Sequence, residues 1–248
     1  MSKKDWVFIA PHFDDVALSC GGLVWTLAQE GYSVEVWTVF GGFPPDQNFS
    51  EFAQKTHAAW GKAGAQAMQM RREEDHQACE RLGAFPRHFD WLDAIYRRDP
   101  QTGAAYVTNN EELFGKSVED ALVSEIASWM QEKISADTHL VLPIGLGNHV
   151  DHRVVALAGD QLNRDVFYYA DYPYILWHFD DPRLHDGALI KRSQPLSPDA
   201  LQAWQDAVLC YASQLSGFWR DEPEARLAIK NYLSGGGGRL WLKAVVLD

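Results

Sequence analysis

Cysteine is scarce. The 248 residues hold three, Cys20, Cys79 and Cys210, an odd number with no CxxC pair, which excludes a disulfide framework and a thiolate zinc cluster. Long apolar runs are missing too: no stretch approaches the roughly 18 residues of a membrane-spanning helix. The run that follows the first lysines, Trp6 to Ala10, stops at Pro11 and is too short for a signal peptide. Positive charge is the third deficit, with 22 Lys and Arg against 34 Asp and Glu and a formal net charge of -12. Nucleic acid is gripped by clustered Lys and Arg, so it is excluded as a partner. These absences predict a cytoplasmic protein acting on small molecules, its oligomeric state left open. No GxGxxG follows the first apolar run, so Gly21-Gly22 reads as close helix packing and not as a dinucleotide fingerprint. Gly235 to Gly238 is followed by Arg239-Leu240, not by the Lys-Ser or Lys-Thr of a phosphate loop, and reads as a flexible turn.

With 46% hydrophobic and 23% charged residues, the chain has the composition of a globular protein. We expect one domain over 1–248, with a core of about 6–175 and a less regular part, 176–248. Strand-favouring runs at Trp6–Ala10, Ser33–Phe40, Arg87–Leu92, His139–Leu142 and Val166–Ala170 alternate with helical patterns. The helices are expected at Gly21–Gln29, Met68–Leu82, Val118–Ile134 and Arg153–Leu162. Between them, 41–66 reads as an irregular lid with a short helix near Phe52–Trp60. A strand at Ala188–Arg192, a helix at Pro198–Ala212 and a strand at Arg239–Val246 close the chain. Such alternation predicts an α/β fold: a Rossmann-like, doubly wound, mostly parallel sheet with helices on both faces and a ligand site at the carboxyl ends of the strands.

Two segments fall directly after predicted strands on that rim: His12-Phe13-Asp14-Asp15 and His149-Val150-Asp151-His152. Charge crowded at strand ends is costly unless a metal or partner offsets it. A catalytic zinc needs three protein ligands and an open position, and His12, Asp15 and His152 supply such a set. Asp14 is then the general base, accepting a proton as water attacks a carbonyl. His149 would stabilise the oxyanion or protonate the leaving amine, with Asp151 favouring its charged form.

These segments resemble the PIG-L/LmbE family of zinc-dependent N-deacetylases, whose motifs are of the HPDD and HPDH types, Phe13 and Val150 standing here in place of proline. Arg71-Arg72-Glu73-Glu74 is similar to the family's RxxE helix. The resemblance covers roughly residues 6 to 175. It implies zinc on His12, Asp15 and His152, base catalysis by Asp14, assistance by His149 tuned by Asp151, and substrate contacts from Arg71 and Asp93. It implies removal of an N-acetyl or other N-acyl group from an amino-sugar conjugate. The sequence leaves open whether the cell loads zinc or ferrous iron. Two other classes compete: a ferrous oxygenase using His12, Asp14 and a distant histidine, and a ligand-binding module without turnover. Within hydrolases, an amidase acting on a non-sugar conjugate is the alternative. Tyr172-Pro173-Tyr174 with Trp177 could stack on a sugar, although packing accounts for such aromatics more simply.

Overall fold

Residues of β1 (Trp6–Ala10) point alternately to two sides: Phe8 and Ala10 join one apolar core, Val7 and Ile9 a second. A strand buried on both faces belongs inside a sheet covered by helices above and below. The computed structural model describes residues 5–185, 189–192 and 195–243. After β1 come α1 (Asp15–Gln29), β2 (Val34–Thr38), α2 (Glu51–Trp60), α3 (Gly64–Leu82) and β3 (Phe85–His88). The middle comprises α4 (Asn110–Gly115), α5 (Asp120–Lys133), β4 (His139–Pro143), α6 (Val150–Asp160) and β5 (Phe167–Tyr169). Last are β6 (Leu189–Arg192), α7 (Pro198–Val208), α8 (Ala212–Phe218), α9 (Glu222–Ser234) and β7 (Leu240–Lys243).

The sheet order is β3-β2-β1-β4-β5-β7-β6. The first five strands are parallel, and β7 joins β5 and β6 antiparallel. The expected mostly parallel α/β sheet is therefore what forms. Its winding reverses between β1 and β4, and beyond the carboxyl ends of such a pair lies the crevice where open α/β sheets bind ligands. Residues of α1 and α3 pack in one core and residues of α5 and α6 in the other, so both faces are covered. No helix among the described residues is long and apolar enough to cross a membrane.

Several boundaries differ from the sequence reading. The first helix begins at Asp15, six residues before Gly21, and carries non-helical angles at Cys20 (φ -153°, ψ 27°). Gly21 and Gly22 sit where the buried Trp204 of α7 crosses it: an added Cβ on Gly21 would lie 2.7 Å from Trp204 Cδ1. The glycines thus serve helix packing, as expected, but they do not start the helix. The strand expected at Arg87–Leu92 runs over Phe85–His88, because β2 ends its pairing at His88. The helix expected at Pro198–Ala212 ends at Val208, and α4, α8 and α9 are additional to the expected helices. Ala188 and residues 244–246 of the expected closing strands lie outside the described residues.

Candidate metal centre and active site

The chain leaves β1 at Ala10 and turns through Pro11, His12 and Phe13 straight into the first turn of α1. Asp14 is the N-cap of that helix, yet its side chain makes no capping bond and faces the pocket. Asp15 Oδ2 accepts the backbone N–H of His12 at 2.7 Å and lies 3.5 Å from His12 Nδ1. The second segment leaves β4, passes a loop in which Gly145 and Gly147 have positive φ, and enters α6 through His149 as N-cap. A Cβ on Gly147 would strike the ring of Tyr174 at 2.5 Å, so glycine there admits that ring beside His152, 5.4 Å between centroids.

The two segments meet. His152 Nε2 lies 3.3 Å from Asp15 Oδ1, so the Asp15 carboxylate stands between His12 on one oxygen and His152 on the other. One nitrogen each of His12, His149 and His152 also lie within 4.8 Å of one another, as do ligand atoms of His12, Asp93 and Asp151. All are buried. Clustered imidazole and carboxylate donors of this kind suit a divalent ion such as zinc.

The other ring nitrogen of His152, Nδ1, is 2.7 Å from Asp171 Oδ1, while Asp171 Oδ2 accepts the N–H groups of Gly145 (2.8 Å) and Leu146 (3.0 Å). Metal-binding histidines are commonly oriented in this way. Asp171 was not read from the sequence, although an acid just beyond the strand at Val166–Ala170 was the available signal.

Asp151 is fully buried in the first turn of α6. Its carboxylate pairs with His12 Nε2 (3.1 Å), Arg97 Nη1 (2.7 Å) and the N–H of Ala94 (3.0 Å), not with the His149 ring. Toward His149 it presents its backbone N–H, which donates to Nδ1 at 3.2 Å. Burial and the neighbouring His12 and His152 push His149 well below the ordinary histidine range, outweighing Asp151. With Nδ1 accepting that bond, the proton of a neutral His149 ring sits on Nε2.

Burial raises the pKa of Asp14 above the ordinary range, opposed by Arg71. For Asp15 the burial effect is overcome by His152 and His12, which hold it down at about 2. Burial lowers His12, but its bonds to Asp15 and Asp151 prevail and lift it well above the usual value.

Arg71 of α3 is only 4% exposed, so it is no solvated surface charge. Its guanidinium lies 4.5 Å from the ring centre of Trp60 and 5.3 Å from that of Phe13, with Nη2 3.5 Å from Asp14 Oδ1. Asp93 Oδ1 accepts the N–H of Ile95 (3.1 Å) within its own turn, and Oδ2 lies 3.6 Å from His12 Nε2. Arg71 and Asp93 line a pocket of about 370 Å³ together with Asp14, His149, Phe114 and Phe218. The expected lid contributes Phe52, Thr56 and Trp60 from α2 to the same pocket. Tyr172, Pro173 and Tyr174 also reach it, whereas Trp177 is 65% exposed and outside it.

The family model for PIG-L, GlcNAc-PI de-N-acetylase, matches residues 7–163, and the chain belongs to this family. The 2'-N-acetylparomamine deacetylase of Niallia circulans is 31% identical over 244 residues, 91% of this chain and 86% of that one. A deacetylase–bog complex from the biosynthesis pathway of teicoplanin superposes with a TM-score of 0.78 at 28% identity, covering 98% of this chain and 100% of that one. The zinc-inhibited form of teicoplanin deacetylase does so with a TM-score of 0.76 at 27% identity, over 98% and 100%. These relatives are deacetylases, hydrolases of amide bonds.

Proposed function

We propose that this chain is a zinc-dependent N-deacetylase that frees the amine of an N-acetylated amino-sugar conjugate, working in the cytoplasm. One observation carries the reading: Asp15 bridges His12 and His152 at 3.5 and 3.3 Å, with the buried Asp14 next in sequence facing the same pocket. His12, Asp15 and His152 would hold the ion. When bound, zinc supplies Lewis acidity toward the amide carbonyl and acidifies the attacking water. Asp14 takes the water's proton and passes it to the departing amine, a transfer suited to a carboxylate of raised proton affinity. His149 donates from Nε2 to the oxygen on which negative charge develops, which a neutral imidazole does without being ionised itself. Arg71, held between Trp60 and Phe13, keeps the Asp14 carboxylate aimed into the pocket and offers its guanidinium to substrate. Asp93 offers a carboxylate oxygen to a sugar hydroxyl. Phe52, Trp60, Phe114 and Phe218 give the pocket the aromatic faces on which sugar rings stack.

The relatives' names, paromamine and teicoplanin deacetylases, support an amino sugar attached to a larger body as the substrate class. The test is amine release from a panel of N-acetylated amino sugars and non-sugar acyl-amino conjugates by zinc-reconstituted, chelator-stripped and re-metallated protein. Product from the sugar members only, lost on chelation and regained with zinc, is expected. Turnover that survives complete metal removal, or no product from any member, overturns the proposal.

A further inference from the structure

A larger cavity, of about 620 Å³, adjoins the catalytic pocket at Tyr172, which alone among the described lining residues belongs to both. Its volume falls in the range of small-molecule sites, roughly 300–1,000 Å³. Its floor is apolar: Tyr172, Leu184, Tyr232 and Trp241 are buried there. Leu176 (49% exposed) and Phe179 (69%) stand open to solvent among the lining residues.

The charged lining side chains are Lys191 and Arg239, with His185 beside them, and no described lining residue is a carboxylate. That is unexpected in a chain of net charge -12. Both cations are placed by specific neighbours. Lys191 on β6 pairs in register with Trp241 on β7, its Nζ 4.7 Å from the ring centre. Arg239 lies against the glycine run: a Cβ on Gly236 (φ +95°) would sit 2.6 Å from its Cζ and Nη2 and 2.8 Å from Nη1. A nearly equal approach to three guanidinium atoms means that the group packs face-on against a backbone only glycine leaves bare. The run Gly235 to Gly238 thus seats a cation at the rim of an apolar cavity.

From this arrangement we infer that the cavity is a second ligand site, separate from the metal centre, for a small anionic amphiphile: an apolar body carrying one carboxylate or similar acid group. The body fills the floor between Tyr172, Tyr232 and Trp241, and the anion meets Arg239 and Lys191. Burial of the apolar body supplies affinity, and the two cations select the sign of the head group.

Calorimetric titration of the full-length protein with octanoate, 1-octanol and octyltrimethylammonium tests this. Octanoate should bind one-to-one and at least ten-fold more tightly than either of the others. The double variant Lys191→Gln/Arg239→Gln should lose at least ten-fold in octanoate affinity, and Ala228→Trp, which fills the cavity from α9, should abolish binding. Equal affinity for the three probes, absence of saturable octanoate binding, or undiminished binding in either variant that keeps its circular dichroism spectrum overturns the inference.

Discussion

His152 and Asp171 form a buried pair, Nδ1 to Oδ1 at 2.7 Å, that leaves the opposite ring nitrogen 3.3 Å from Asp15. A carboxylate can only accept, so a proton lies on Nδ1, and a metal held against Asp15 would take the lone pair of Nε2. Replacing Asp171 by Asn removes the charge that orients the ring and favours this tautomer. Zinc affinity, measured by competition with a chromophoric chelator, should fall by roughly 10- to 100-fold. Unchanged affinity in a folded Asp171→Asn protein would show that the pair does not support the metal.

Asp14 is separable from metal binding. In Asp14→Asn the carboxylate oxygens that take the proton are lost, while His12, Asp15 and His152 are untouched. Zinc content by atomic emission should stay at the parental level and kcat should fall roughly 100- to 10,000-fold. A folded variant with full metal and parental turnover would remove Asp14 from the chemistry.

The Arg71–Asp14 pair has a consequence for pH dependence. Burial sets the Asp14 carboxylate above its ordinary range, and Arg71 is the largest of the contributions that pull it back down. Arg71→Ala therefore raises the pKa of Asp14 further, and the acid limb of the kcat/KM profile moves to higher pH. Arg71→Lys retains a cation and should leave the limb nearer the parental position. Profiles taken at saturating zinc check the direction; a shift toward acid would contradict the pairing.

Gly21 packs on Trp204, whose indole is fully buried and donates from Nε1 to the carbonyl of Ala17 at 2.6 Å. Exchange to alanine would favour helix by under about 1 kcal/mol, but a methyl group 2.7 Å from Cδ1 of an immobile ring costs more. We expect Gly21→Ala to destabilise by about 1–3 kcal/mol, read as a lowered midpoint in thermal or urea unfolding. A higher midpoint would mean that Trp204 yields easily.

Much of the sheet and both site segments were legible in the sequence because their causes are local. Trp6–Ala10 and His139–Leu142 are apolar runs ending in His- and Asp-bearing turns, and strand ends in parallel sheets share a rim. What escaped reading depends on partners distant in sequence. Asp171 gains its meaning from His152, and Asp151 turns to His12 and Arg97 because the 92–98 turn folds over it and donates the Ala94 N–H. The start of α1 was missed for a related reason. Gly21-Gly22 is poor in helix propensity, and its place inside α1 depends on Trp204, far along the chain, which fills the space that the glycines leave. The start of α9, by contrast, has a local signal: Asp221 stands ahead of Pro223, and its side chain accepts the N–H of Glu224.

The antiparallel pairing of β7 against β5 ties the end of the described chain to its catalytic interior. Tyr169 is the last residue of β5 and stands two before Asp171, and its strand finds its second neighbour only when Leu240–Lys243 arrives. During synthesis, the second neighbour of β5 is therefore in place only after Leu240–Lys243 has been made. A nascent polypeptide halted before Leu240 would carry every proposed ligand and still lack that strand.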